Sequence, residues 1–154
     1  MTEIDSLRNQ LGIADAPMVR AGLAAADLFF RKTLHEDPRK WIDYLRGIDF
    51  HKQVSAERLP RGTRLVRYDG PGQGRPKPFV YFTRPGTSPN ALGTTFPTVR
   101  FNEFETVHDV YALVSTASGI NFGVRDRVSR LGGGLQYIIS FAEASALRRV
   151  RSGL

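Results

Sequence analysis

Apolar positions fall into two rhythms along this chain. In the first third, Val19, Leu23, Ala26, Phe30 and Leu34 recur at steps of three and four, which puts them on one helix face. Asp37-Pro38 interrupts, and Pro38 suits the first turn of a second helix carrying the stripe Trp41, Tyr44, Leu45 and Ile48. Both stripes are read as core packing. After about residue 58 the rhythm shortens. Leu59-Pro60-Arg61-Gly62 breaks the chain, and Thr63 to Tyr68 predicts a strand. Asp69 to Pro76 is dominated by glycine and proline and excludes regular structure. Phe79-Val80-Tyr81-Phe82-Thr83 predicts a strong strand, and Arg84 to Pro97 a second irregular stretch. Val107 to Val114 is β-rich, Ser115 to Gly119 reads as a polar turn, Leu135 to Phe141 as the last clear strand, and Ala142 to Val150 as a closing helix. Helices first and then strands joined by long Gly/Pro-rich loops predict an α+β fold with a mixed or antiparallel β core. The expected organisation is one domain over residues 1–154, with a helical region at 1–58 and a β-rich core at 59–154.

Composition narrows this picture only in places. A chain of 154 residues has the length of one domain and buries roughly 70% of its unfolded surface. The hydrophobic fraction of 41% and charged fraction of 24% are ordinary. The chain has no cysteine, which excludes disulfides and thiolate metal sites. His35, His51 and His108 are too scattered for a ligand spacing, so no metal is expected. The start lacks the basic head and apolar run of a signal peptide. Ala21 to Phe30 is too short to span a bilayer and holds Asp27. Net charge is +7 with arginine far ahead of lysine, which suits an anionic partner. The cluster Arg148, Arg149 and Arg151 reads as a solvated helix end.

Two segments carry the candidate chemistry. On Leu65-Val66-Arg67-Tyr68, Arg67 shares a face with Leu65, and an arginine amid apolar residues needs a counter-charge or a cleft. A guanidinium clamp on phosphate or carboxylate answers that need, and an edge-strand arginine with its head in water is the plainer answer. Gly132-Gly133-Gly134 runs into Leu135-Gln136-Tyr137 at a strand entrance. The glycines admit a close approach or form a hairpin. The Gln136 amide can hold a sugar hydroxyl but cannot act as a base. Phe79, Tyr81 and Thr83 share one side of their strand, and Val80 and Phe82 the other. Glu103, Glu105, Asp109 and Glu143 show no paired spacing, and Ser140 and Ser145 lack a nucleophile elbow.

Taken in order, these elements are an arginine-aromatic strand, an aromatic-threonine strand, a valine-tyrosine strand and Gly-Gly-Gly-x-Gln-Tyr. That order resembles bacterial NAD-degrading toxins, namely the tuberculosis necrotizing toxin domain and the type VI secretion NADase effectors, which share an ADP-ribosyltransferase-like fold. The resemblance covers about residues 60–141. It implies catalytic roles for Arg67, holding the dinucleotide near its pyrophosphate and nicotinamide ribose, and for Gln136, standing where transferring enzymes have a glutamate. It implies substrate binding by Tyr68, Tyr81, Phe82, Thr83 and Gly134, with Tyr81 or Phe82 at the nicotinamide ring. The family's histidine has no match in register, since Asp109 precedes Val110-Tyr111 and His108 lies one residue earlier.

The activity implied is cleavage of NAD+ or NADP+ to nicotinamide and ADP-ribose, with the dinucleotide as substrate and no further cofactor. Arg67, the Phe79–Thr83 strand and Gln136 are expected to converge on it. The partners implied are an acidic cognate immunity protein and a delivery protein of a secretion system, with neither membrane nor nucleic acid expected. Synthesis in a bacterial cytoplasm and delivery into a target cell follow from the same resemblance. The alternatives are a mono-ADP-ribosyltransferase on the same fold, a basic nucleic-acid-binding or nuclease toxin motivated by the charge, and an interaction module whose glycines are only turns.

Overall fold

The computed structural model describes residues 2–69, 77–88, 100–118, 120–121, 124–125 and 133–153. Helix α1 (Glu3–Leu11) starts from a reciprocal cap in which the Thr2 hydroxyl accepts from the Asp5 N–H and the Asp5 carboxylate from the Thr2 N–H. It ends on Gly12 at φ 68, a left-handed position that favours glycine. Helix α2 (Pro17–Lys32) opens on proline, and a 3-10 turn at Pro38–Trp41 leads into α3 (Ile42–Leu45). Val19, Leu23, Ala26, Phe30, Leu34, Trp41, Leu45 and Ile48, drawn from both stripes, are buried.

The strands are β1 (Ser55–Leu59), β2 (Arg64–Asp69), β3 (Phe79–Thr83), β4 (Arg100–Glu105), β5 (Val110–Thr116), β6 (Ile120–Asn121), β7 (Val124–Arg125), β8 (Leu135–Ser140) and β9 (Arg148–Gly153), with α4 (Phe141–Ala144) between the last two. Seven of them form one sheet in the order β1-β5-β8-β3-β2-β4-β9, and β6 pairs with β7 apart from it. Every pairing is antiparallel. Among the described residues β2 meets β3 only at Val66 opposite Thr83. Among the described residues the sheet is therefore a four-stranded half, β1-β5-β8-β3, and a three-stranded half, β2-β4-β9, joined in the ladder at one pair.

Both sides of the four-stranded half are packed, as strand alternation requires. One side sets Phe79, Leu113 and Ile138 against Leu23, Phe30, Trp41 and Phe50. Phe79 is the hub there: the rings of Phe30, Trp41, Tyr44 and Tyr81 stand edge-on to it at 5.6, 5.4, 5.6 and 5.6 Å. The other side gathers Leu59, Leu65, Val80, Phe82, Val110, Ala112, Val114, Tyr137 and Ile139.

The structure revises several expectations. β1 begins inside the region 1–58 expected to be helical. Its polar residues Glu57 and Arg58 are exposed, and Leu59 is buried. Ser115 is not in a turn but inside β5, opposite Gln136. The closing helix is only the four residues of α4, and the arginine cluster lies on a strand. Arg151 and Arg64 bond the Glu103 carboxylate, and Arg148 and Arg64 bond that of Glu105, so β9 is held against β4 by opposite charges across the ladder. Those partners lie 39 to 48 residues apart in the chain, beyond the reach of a local pattern. The glycine/proline loop at 70–76, the stretch 89–97, Gly119 and Gly132 lie outside the described residues.

Candidate functional site

A polar row crosses the helix-covered side of the sheet at one level. Ser115 on β5 stands opposite Gln136 on β8, Gln136 opposite Thr83 on β3, and Thr83 opposite Val66 on β2. Directly paired residues share a face, so the row continues the side on which Tyr81, Ile138 and Leu113 form the next, apolar row. Ser115 and Thr83 are 0% exposed and Gln136 is 6% exposed. Burial of three polar side chains in line demands hydrogen bonds. The Gln136 Nε2 donates to the Gly47 carbonyl at 3.1 Å and to the Ser115 Oγ at 3.2 Å. The Thr83 Oγ1 donates to the Leu135 carbonyl.

The backbone explains how Gly47 arrives there. Ile48 bridges to Ala117, the Asp49 N–H donates to the Thr116 carbonyl, and the Ser118 N–H donates to Gly47 O at 2.9 Å. The segment after α3 is thereby stitched across the end of β5. From the other side Gly133 and Gly134 extend the ladder: Gly133 N–H donates to Ala117 O and Ala117 N–H to Gly134 O, both at 2.8 Å. Gly133 sits at φ 86, which explains a glycine at this position of the run.

Beside the polar row lies an aromatic corner. Lys77 holds its ammonium over the rings of Tyr44, Tyr81 and Phe79, at 5.2, 5.5 and 5.9 Å from their centroids. The Tyr81 hydroxyl donates to the Tyr44 carbonyl at 3.3 Å, and burial pushes the phenol well above its usual range. Tyr68, also raised by burial, donates to the Thr87 carbonyl at 2.7 Å and packs on Phe101.

The sequence-derived candidates therefore divide. Thr83, Tyr81 and Gln136 share one side of the sheet, Tyr68 follows Val66 onto it by alternation, and Gly134 lies at its edge. Phe82 is on the opposite side, edge-on to Phe104 at 5.7 Å, and Arg67 shares that side with Leu65. The structure thus does not set Arg67 on the face of Gln136. Arg67 stands one residue past Val66, where β2 and β3 part, with the buried Asn102 opposite it on β4.

His108 is exposed ahead of β5, on the order of 20 Å from the level of Ser115 at strand rise. Asp109 there accepts from the Arg61 N–H at 3.1 Å. Among the described residues no three His, Cys, Asp or Glu side chains gather as metal ligands, and no helix is long and apolar enough to cross a membrane. Three groups of the site escape sequence reading: Ser115, predicted to lie in a turn, Lys77, and Gly47, which contributes only its backbone. The apolar run Val110 to Val114 carries on through Ser115 and Thr116, and that continuity is the signal for Ser115.

No family model matches the chain, and no curated protein does. Among solved structures the chain is similar to Tse6 in the structure of Tse6 in complex with Tsi6, with a TM-score of 0.66 and 26% identity, over 89% of this chain and 99% of that one. It is also similar to Rhs1-CT in complex with its cognate immunity protein RhsI1, with a TM-score of 0.43 and 16% identity over 70% and 83% of the two chains. The fold is shared with Tse6 over most of the chain.

Proposed function

We propose that this chain is a bacterial effector toxin that hydrolyses the nicotinamide–ribose bond of NAD+ or NADP+. Two lines support the toxin reading: the motif order that resembles NAD-degrading toxins, and the likeness to Tse6, solved with Tsi6 bound. The observation that carries the NAD reading is Gln136, a buried amide whose Nε2 is held by protein while its carbonyl oxygen takes no hydrogen bond among the described residues. It stands where the motif order expects the ribose.

The reaction asks for little acid–base chemistry. The C1′–N bond breaks with its electron pair going to the pyridinium nitrogen, so nicotinamide leaves neutral. Water adds to the ribosyl cation and sheds one proton, giving ADP-ribose. The protein has to hold the dinucleotide, orient the ribose and steady the positive charge on the sugar. Gln136 is the acceptor for the ribose. The aromatic corner at Tyr81 offers apolar ring surface to the nicotinamide, and the Lys77 ammonium beside it favours the neutral leaving group over the cationic ring. A dinucleotide laid across the parting of β2 and β3 has Gln136 on one flank and Arg67, clamping pyrophosphate, on the other.

A chain of net charge +7 suits an acidic cognate immunity protein, and a secretion system is the proposed route to the target cell. The test is nicotinamide release from NAD+ and NADP+ by the purified protein. Release with free ADP-ribose supports hydrolysis. ADP-ribose bound covalently to an added protein means transfer instead, and intact dinucleotide after prolonged incubation refutes both.

A further inference from the structure

Gln136 is held in one orientation by a group that has no choice of role. A backbone carbonyl only accepts, so the end of the amide facing Gly47 at 3.1 Å must be Nε2. The second proton on that nitrogen goes to the Ser115 Oγ at 3.2 Å. Both donors are thereby used. Oε1 is left facing away, on a side chain 6% exposed, without a hydrogen bond among the described residues. Oε1 is not fully buried, so the acceptor lies open where a ligand can bring a proton to it.

We propose that Ser115 and the Gly47 carbonyl lock Gln136 as an acceptor-only group, so that the ligand group it takes is a hydroxyl and not an anion. Ser115 is then a positioning residue: it fixes the side chain that meets the ligand without meeting the ligand itself. A phosphate or carboxylate brought to Oε1 sets lone pairs against lone pairs, whereas a sugar hydroxyl donates along the open direction. That the hydroxyl belongs to the nicotinamide ribose rests on the function proposed above; the lock does not.

The experiment reads the Gln136 side-chain amide in the 15N-labelled full chain. The lock predicts two well-separated proton resonances with NOEs to Gly47 and Ser115, and in Ser115→Ala one of them moves toward the position of a free amide. Free-amide shifts without those NOEs in the wild type overturn it. ADP-ribose, which carries hydroxyls, is expected to shift these resonances, and inorganic pyrophosphate to leave them in place. A shift with pyrophosphate, or none with ADP-ribose, overturns the hydroxyl assignment. In the turnover assay Ser115→Ala lowers kcat about tenfold, with KM within about twofold, as expected for one misplaced hydrogen bond. If the wild type releases no nicotinamide, the proposed function falls, and the resonances still decide the lock.

Discussion

Gln136 shows how one residue can be legible in type and illegible in use. The glycine run and the apolar strand behind it mark the position, and an amide there announces hydrogen bonding. Which of its two ends faces a ligand is set by Gly47, a residue 89 positions away that no pattern connects to it. The distinction has a sharp consequence. Gln136→Glu preserves size but sets a carboxylate oxygen against the Gly47 carbonyl. It is expected to lose nicotinamide release at least tenfold and to melt a few degrees lower, as a broken buried hydrogen bond of about 1–3 kcal/mol implies. Gln136→Ala removes the acceptor altogether; release should fall on the order of a hundredfold, the scale of one lost transition-state contact, with the circular dichroism spectrum unchanged. Thr83 bears on stability: its hydroxyl is bonded to Leu135 O at a fully buried position. Thr83→Val should cost about 1–3 kcal/mol in urea unfolding.

Among the elements, those built from apolar alternation were readable and those built from charge were not. β2, β3 and β8 bury residues on both faces, so their sequences carry the β signal on their own. β1, β4 and β9 are polar because they lie toward the edges and answer their neighbours across the ladder. Glu103 and Glu105 on β4 had no visible partners in the chain, yet Arg64, Arg148 and Arg151 surround them. For Glu105 the bond from Arg148 leads in holding the carboxyl below its usual range. Burial opposes ionisation most strongly at Glu103, but the bonds from Arg64 and Arg151 carry it below as well. The sign is that of a depressed acid: the stabilisation is complete above the ordinary glutamate range near pH ~4.3 and is lost as pH falls through the lowered native values. Acid unfolding followed by circular dichroism should therefore be less steep in a Glu103→Gln, Glu105→Gln double variant. Helix α2 makes a different demand. A Cβ on Gly22 would lie 3.1 Å from Phe50 and 3.2 Å from Val54, so Gly22→Ala should destabilise by about 1–3 kcal/mol despite the better helix former.

At the scale of the whole molecule, the N-terminal helices belong with the sheet. Phe79 is packed by Phe30, Trp41 and Tyr44, and the site's own Gly47 lies in the N-terminal region of residues 1–58. A fragment of residues 59–154 is therefore expected to stay unfolded by circular dichroism even though it contains nearly all of the motifs. Helical periodicity revealed those helices, but nothing in it said where they dock, because docking is decided by shape against β3, β5 and β8. The basic surplus belongs to this scale too, and binding of an acidic partner should weaken steeply as salt rises. The seam between the halves of the sheet reaches further. Cooperativity travels through shared contacts, and among the described residues the two sets of strands share one ladder position, Val66 with Thr83, and the apolar packing of Leu65 and Phe104 with Phe82. Backbone amides in β5, β8 and β3 should exchange with solvent only through global opening, while those in β2, β4 and β9 exchange earlier through an opening of their own. The protein would then respond to mild denaturant as two coupled bodies, the smaller one giving way first.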